Sequence, residues 1–125
     1  MKVKLSLLII IALGFAIRIS HVGRLPLILN RDEAALAYNA YLIKESGRDE
    51  WQRAFPITFE SFGDYKLPGY IYTLAAFFSV LGISDLVVRL PSVLAGTGLI
   101  AAAFVIAKKF KFSSPLALLF SLVIA

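Results

Sequence analysis

The chain has 125 residues, of which 59% are hydrophobic and only 17% charged, with a mean hydropathy of +0.82; soluble domains carry about 25% charged residues. That balance excludes an ordinary soluble domain and marks a membrane protein. The formal charge of +5 is uneven: residues 18–66 carry seven basic and seven acidic side chains, whereas the rest has six basic residues against Asp85 alone. A neutral insert between basic flanks argues against nucleic acid as a partner, and the absence of cysteine excludes disulfides and thiolate metal sites.

At the start, Lys2 and Lys4 precede an apolar run from Leu5 to Ile17, the pattern of a secretory signal. No small-x-small pair follows it, so an uncleaved first membrane span over residues 5–25 is expected, with Arg18 snorkelling. His21 near its end reads as an interfacial polar group, not a ligand. The insert then opens on a helix start. Asn30 is an N-cap residue, Glu33 stands at the capping-box spacing and Gly47 is a stop, which predicts a helix from Arg31 to about Ser46. Its residues are apolar or aromatic nearly all round, so it lies against membrane or protein. Gly47 to Arg53 reads as a solvated turn with Trp51 at headgroup level. Phe55 to Lys66 reads as loop, closing an external segment over residues 26–66.

A second span is expected over residues 67–83, opening with Pro68 and Gly69. Gly82 to Asp85 supplies a break, and a third span follows over residues 86–110, with Arg89 and Pro91 near its start and Gly96 and Gly98 suited to close packing. Lys108, Lys109 and Lys111 mark its end. Residues 115–125 begin a fourth span that stops inside an apolar run, as in a piece of a larger protein. The expected class is therefore an all-α, polytopic, multi-pass membrane protein with an amphipathic juxtamembrane helix in its first external loop. One conflict arises. Lys2 and Lys4 place the N-terminus inside, whereas three crossings put Lys108, Lys109 and Lys111 outside; the first helix is taken to decide, which makes the insert external.

Three motifs occur in order: Arg31-Asp32-Glu33 heading a loop helix with Tyr38, Gly63-Asp64-Tyr65-Lys66-Leu67-Pro68 before the second span, and Val88-Arg89-Leu90-Pro91-Ser92 in the third, all after a first membrane helix. This order resembles the N-terminal part of GT-C membrane glycosyltransferases of the protein O-mannosyltransferase and aminoarabinose-transferase type. Lys66-Leu67-Pro68 stands where that family usually has Lys-Pro-Pro. The resemblance implies transfer of a sugar from a polyprenyl-phosphate donor to a hydroxyl acceptor on protein, lipid or glycan, by a catalytic module extending beyond Ala125. It also implies that Asp32 binds or deprotonates the acceptor and that Lys66 pairs with the donor phosphate. Glu33 is a second catalytic candidate, although the capping box already explains it. Tyr38, Asp64 and Tyr65 are candidate sugar or acceptor contacts. No firmly bound metal is expected, with a divalent ion between Asp32 and Asp64 as the weaker reading. Arg89 is placed on the far side of the hairpin as an anchor. The alternative reading is a membrane assembly module or transporter fragment without transferase chemistry.

Overall fold

The structure is a computed structural model and describes residues 2–20, 22 and 28–125; the His21 position lies outside the described residues. Among them are α1 (Lys2–Ile19), α2 (Arg31–Ser46), β1 (Phe59–Ser61), β2 (Asp64–Lys66), α3 (Pro68–Leu81), α4 (Asp85–Lys109) and α5 (Ser114–Ile124). The protein is mostly helical. It divides into two compact units, residues 22–91 and the two flanking stretches. The division falls within α4 at Pro91, which lacks the N–H that would continue the helix ladder.

In the central unit, α2 has the expected ends. Asn30 Oδ1 accepts from the Glu33 N–H at 2.8 Å, Glu33 Oε2 accepts from the Asn30 N–H at 3.0 Å, and Gly47 closes the helix at φ 68 with its N–H on Ile43 O. Ala35, Asn39, Ala40 and Ile43 form its buried stripe. Against them α3 turns Ile71, Leu74, Ala75 and Phe78, one face at helical spacing, and Phe59, Val87 and Val88 complete the core. Burying each large apolar side chain stabilises the unit by about 1.5–3 kcal/mol. Tyr70 Oη donates to Val88 O at 2.7 Å and Tyr72 Oη to Pro56 O at 2.9 Å, fastening α3 to α4 and to the loop.

Two expectations about the insert are corrected. The Gly47 to Arg53 turn is not simply solvated, because Asp49 is buried and its carboxylate accepts from the Trp51 and Arg53 N–H groups and from Arg53 Nε. Residues 59–66 are not irregular loop. They form an antiparallel hairpin pairing Phe59 with Lys66, Glu60 with Tyr65 and Ser61 with Asp64. Its two-residue turn has Phe62 at φ 54 and Gly63 at φ 76, the left-handed pair that matches strand twist.

A third correction concerns Arg89. Its side chain is not on a face remote from the insert: it reaches Glu33 at the head of α2 within the same unit. α3 itself has 14 residues, or about 21 Å of helix, against about 30 Å of hydrocarbon in a bilayer. Among the described residues α4, with 25 residues, is the one helix long and apolar enough to cross a membrane.

The flanking unit contains α1, the remainder of α4, and α5. A Cβ on Gly14 would collide with the Ile100 side chain, and Arg18 lies over Gly96. Four residues forward along α1 thus match four backward along α4, so these helices are antiparallel. Lys2 and Lys4 therefore stand at the same end as Lys108, Lys109 and Lys111. Arg18 also donates to Ala125 O at 2.8 Å and Ile124 O at 2.6 Å, while Ser121 Oγ donates to Ile100 O at 3.0 Å.

Candidate functional site

The head of α2 and the hairpin build the site together. Because the capping box fixes the first turn of α2, Asp32 is held at its N-terminal end, where a carboxylate complements the helix dipole. Strand alternation puts Asp64 and Lys66 on one face of β2 and Tyr65 on the other. Lys66 Nζ then donates to Asp32 Oδ1 at 2.8 Å and to Asp64 Oδ2 at 2.6 Å. Arg31, Ser61 and Phe62 join these three around a polar cavity of about 210 Å³.

Arg31 has two tasks there. Its guanidinium lies 4.4 Å from the Phe62 ring centroid and donates to Phe62 O at 3.2 Å. Both contacts hold the left-handed Phe62 in place, and a cation–π pair of this exposed kind contributes about 0.5–1 kcal/mol. With two cations and two carboxylates the cavity is formally neutral. Hydrogen bonds from Lys66, and then from the Tyr65 N–H, lower the Asp64 pKa below its ordinary value. Asp32, followed by Asp64, raises that of Lys66. Lys66 is therefore an ammonium throughout the neutral range, with one of its three N–H donors left for a ligand among the described residues.

Glu33 faces elsewhere. Its Oε1 accepts from Arg89 Nε at 2.9 Å and its Oε2 from Arg89 Nη2 at 3.1 Å, in addition to the Asn30 N–H. The Arg89 hydrogen bonds lower its pKa from the ordinary value against an upward push from burial, with Asn30 adding to the lowering. Arg89 also donates to Val22 O and Ile28 O, so it ties the start of α4 to the entry of α2.

No family model, curated protein or solved structure matches this chain. The site consequently stands on its own geometry. Of the residues expected from sequence, Asp32, Asp64 and Lys66 come together; Glu33 is engaged by Arg89, and Tyr38 and Tyr65 are exposed and do not line the cavity. Arg31, Ser61 and Phe62 were not expected to line it. For Ser61 and Phe62 the hairpin alternation around Phe62-Gly63 was the one available signal; Arg31 enters as the neighbour of Asp32 in the first turn of α2. Among the described residues no group of three His, Cys, Asp or Glu side chains could hold a metal. The space between the Asp32 and Asp64 carboxylates is taken by Lys66 Nζ.

Proposed function

We propose that the chain is the N-terminal part of a multi-pass membrane glycosyltransferase that moves a sugar from a polyprenyl-phosphate donor to a hydroxyl acceptor. The observation that carries this reading is the meeting of Asp32 with Lys66, 34 residues apart, in one polar cavity. Lys66 holds Oδ1 of Asp32 and leaves Oδ2 to accept the acceptor's proton. The acceptor oxygen then bonds to the anomeric carbon as the carbon–oxygen bond to the phosphate breaks. The remaining Lys66 donor and Arg31 meet the negative charge that gathers on the departing lipid phosphate.

Membrane placement follows a modified scheme, in which α1 and α4 cross while α2, the hairpin and α3 lie outside. It is supported by the shortness of α3, by the Arg89 to Glu33 pair and by the five lysines at one end of the flanking unit, which satisfy the positive-inside rule together. Exposed apolar side chains on α1, α4 and α5, such as Leu8, Ile17, Leu99 and Val123, suit lipid contact.

The test is sugar transfer by the protein carrying the rest of the catalytic module. Asp32→Asn is expected to lower kcat by about 10²- to 10⁴-fold with its unfolding transition unchanged. Lys66→Ala is expected to weaken donor affinity, and Lys66→Arg to retain part of it. A fully active, folded Asp32→Asn protein would remove Asp32 from the chemistry.

A further inference from the structure

The hairpin has a second face, turned away from the polar cavity. Phe59 and Ser61 are buried, so strand alternation points Glu60 outward, and its cross-strand partner Tyr65 with it. Ser61 and Asp64 close the two-residue turn, which makes Glu60 and Tyr65 the closely spaced pair whose backbone groups point away from each other. Glu60 O accordingly accepts from Trp51 Nε1 at 2.8 Å, which seats the indole at the free edge of β1. Trp51 is 58% and Tyr65 65% exposed. Two open aromatic side chains thus flank Glu60.

The carboxylate of Glu60 has a fixed partner. Arg53 Nη1 stands 3.6 Å from Glu60 Oε2, and Arg53 Nε donates to Asp49 Oδ2 at 2.8 Å. Asp49 is 1% exposed, and its other oxygen accepts from the Trp51 and Arg53 N–H groups at 3.0 and 2.8 Å. One buried carboxylate therefore holds the backbone of both residues and the guanidinium of Arg53. Gln52, which separates them, sits at φ 64, a left-handed conformation that a residue with a Cβ keeps only where its surroundings impose it.

We infer that this face, formed by Trp51, Arg53, Glu60 and Tyr65, is a binding site for a neutral carbohydrate chain. A pyranose ring has a C–H face and a rim of hydroxyls. The C–H groups carry slight positive charge and meet the electron-rich face of an indole or phenol ring, while adjacent hydroxyls donate to Glu60 and accept from Arg53. The two charges cancel, so the face is matched to hydroxyls and not to an ion. A membrane surface fits it poorly, because the N–H that an interfacial tryptophan offers to headgroups is already on Glu60 O, and lipid would strip water from Glu60 and Arg53. Two aromatic side chains bury at most about 150–250 Å² each, short of the roughly 800 Å² per partner of a stable protein interface. The inference goes beyond the transferase reading and does not rest on it, since Glu60 and Tyr65 lie on the face opposite Asp64 and Lys66.

Trp51 is the chain's one tryptophan, so its emission reports on this face alone. The test is titration of the purified protein, in lauryldimethylamine oxide because that headgroup is not a sugar, with maltotriose, cellotriose and mannotriose. At least one trisaccharide should change the emission saturably, while glycerol, which has hydroxyls but no C–H face, should not. Tyr65→Ala should weaken the apparent affinity about tenfold, Tyr65→Phe should retain it, and Glu60→Gln should weaken it several-fold through loss of the charge-assisted bond. Silence with all three sugars would overturn the site, and a blue shift on transfer to dioleoyl phosphatidylcholine vesicles in that case would identify a headgroup contact instead. Equal affinity in the wild type, Tyr65→Ala and Glu60→Gln would also overturn it, as would a response to glycerol matching that to the sugars. Sugar transfer is not read here, so loss of the transferase reading and loss of this site are separate results.

Discussion

Glu33 and Asp32 are neighbours with different work, and the difference arises from one turn of helix. Asp32 looks into the cavity and Glu33 away from it, toward Arg89. From spacing alone Glu33 is a capping residue for which Gln would serve as well. The structure changes that expectation, because both Glu33 oxygens accept from Arg89 while one also accepts from the Asn30 N–H. A glutamine would turn an NH₂ group toward a donor. Glu33→Gln is therefore expected to cost about 1.5–3 kcal/mol of stability at neutral pH, the range for hydrogen bonds to charged groups. The sign with pH follows from the lowered Glu33 pKa. A depressed carboxyl contributes its stability above the unfolded-state value of about 4.3 and loses it as pH falls through the folded-state value. Unfolding of both proteins in detergent between pH 7 and pH 3 should show a gap that narrows on acidification. A constant gap would mean that the charge of Glu33 does nothing for the fold.

At the scale of elements, glycine separates backbone effects from packing. A Cβ on Gly63 or on Gly69 would meet nothing within 4 Å, but Gly63 has φ +76 in the hairpin turn and Gly69 lies in the first turn of α3 without a positive φ. Gly63→Ala should thus cost about 1–2 kcal/mol through the left-handed backbone alone. Gly69→Ala should be neutral or stabilise by up to about 1 kcal/mol. Unfolding of the two variants side by side checks this, and equal effects would refute the turn geometry. Local signals made α2 legible to the residue, since Asn30, Glu33 and Gly47 each act within a turn of their own position. The hairpin escaped notice because Phe62 occupies a turn position where Asn, Asp or Gly is the usual cue. α3 has the composition of a membrane span, but its length of 14 residues, against the about 20 that a crossing calls for, and its packing on α2 are visible only in the structure. Arg89 gave no local sign of its partner 56 residues away, and Arg31, Ser61 and Phe62, half of the cavity lining, were hidden for the same reason: they join Asp32 and Lys66 only because the hairpin folds back over the head of α2.

For the whole molecule, the count of crossings decides which side of the membrane each segment faces. If α3 crossed, 14 residues would have to span a bilayer that calls for about 20, and Lys108, Lys109 and Lys111 would be carried outward against their charge. It would also have to separate Arg89 from Glu33 by the membrane thickness, although the two are 2.9 Å apart. With α3 outside, as proposed, two crossings suffice and the five lysines at one end of the flanking unit share one side. Single cysteines distinguish the schemes. Ile57 and Ile83 are 82% and 58% exposed, and neither makes a side-chain hydrogen bond, so both tolerate replacement; Asp49 is buried and unsuitable. In intact cells an impermeant maleimide should label Ile57→Cys and Ile83→Cys, while Lys109→Cys should react only after the membrane is opened. Protection of Ile83→Cys together with labelling of Ile57→Cys and Lys109→Cys would restore α3 as a crossing. It would also take the Arg89 to Glu33 pair apart, and with it the fixed head of α2 on which Asp32 depends.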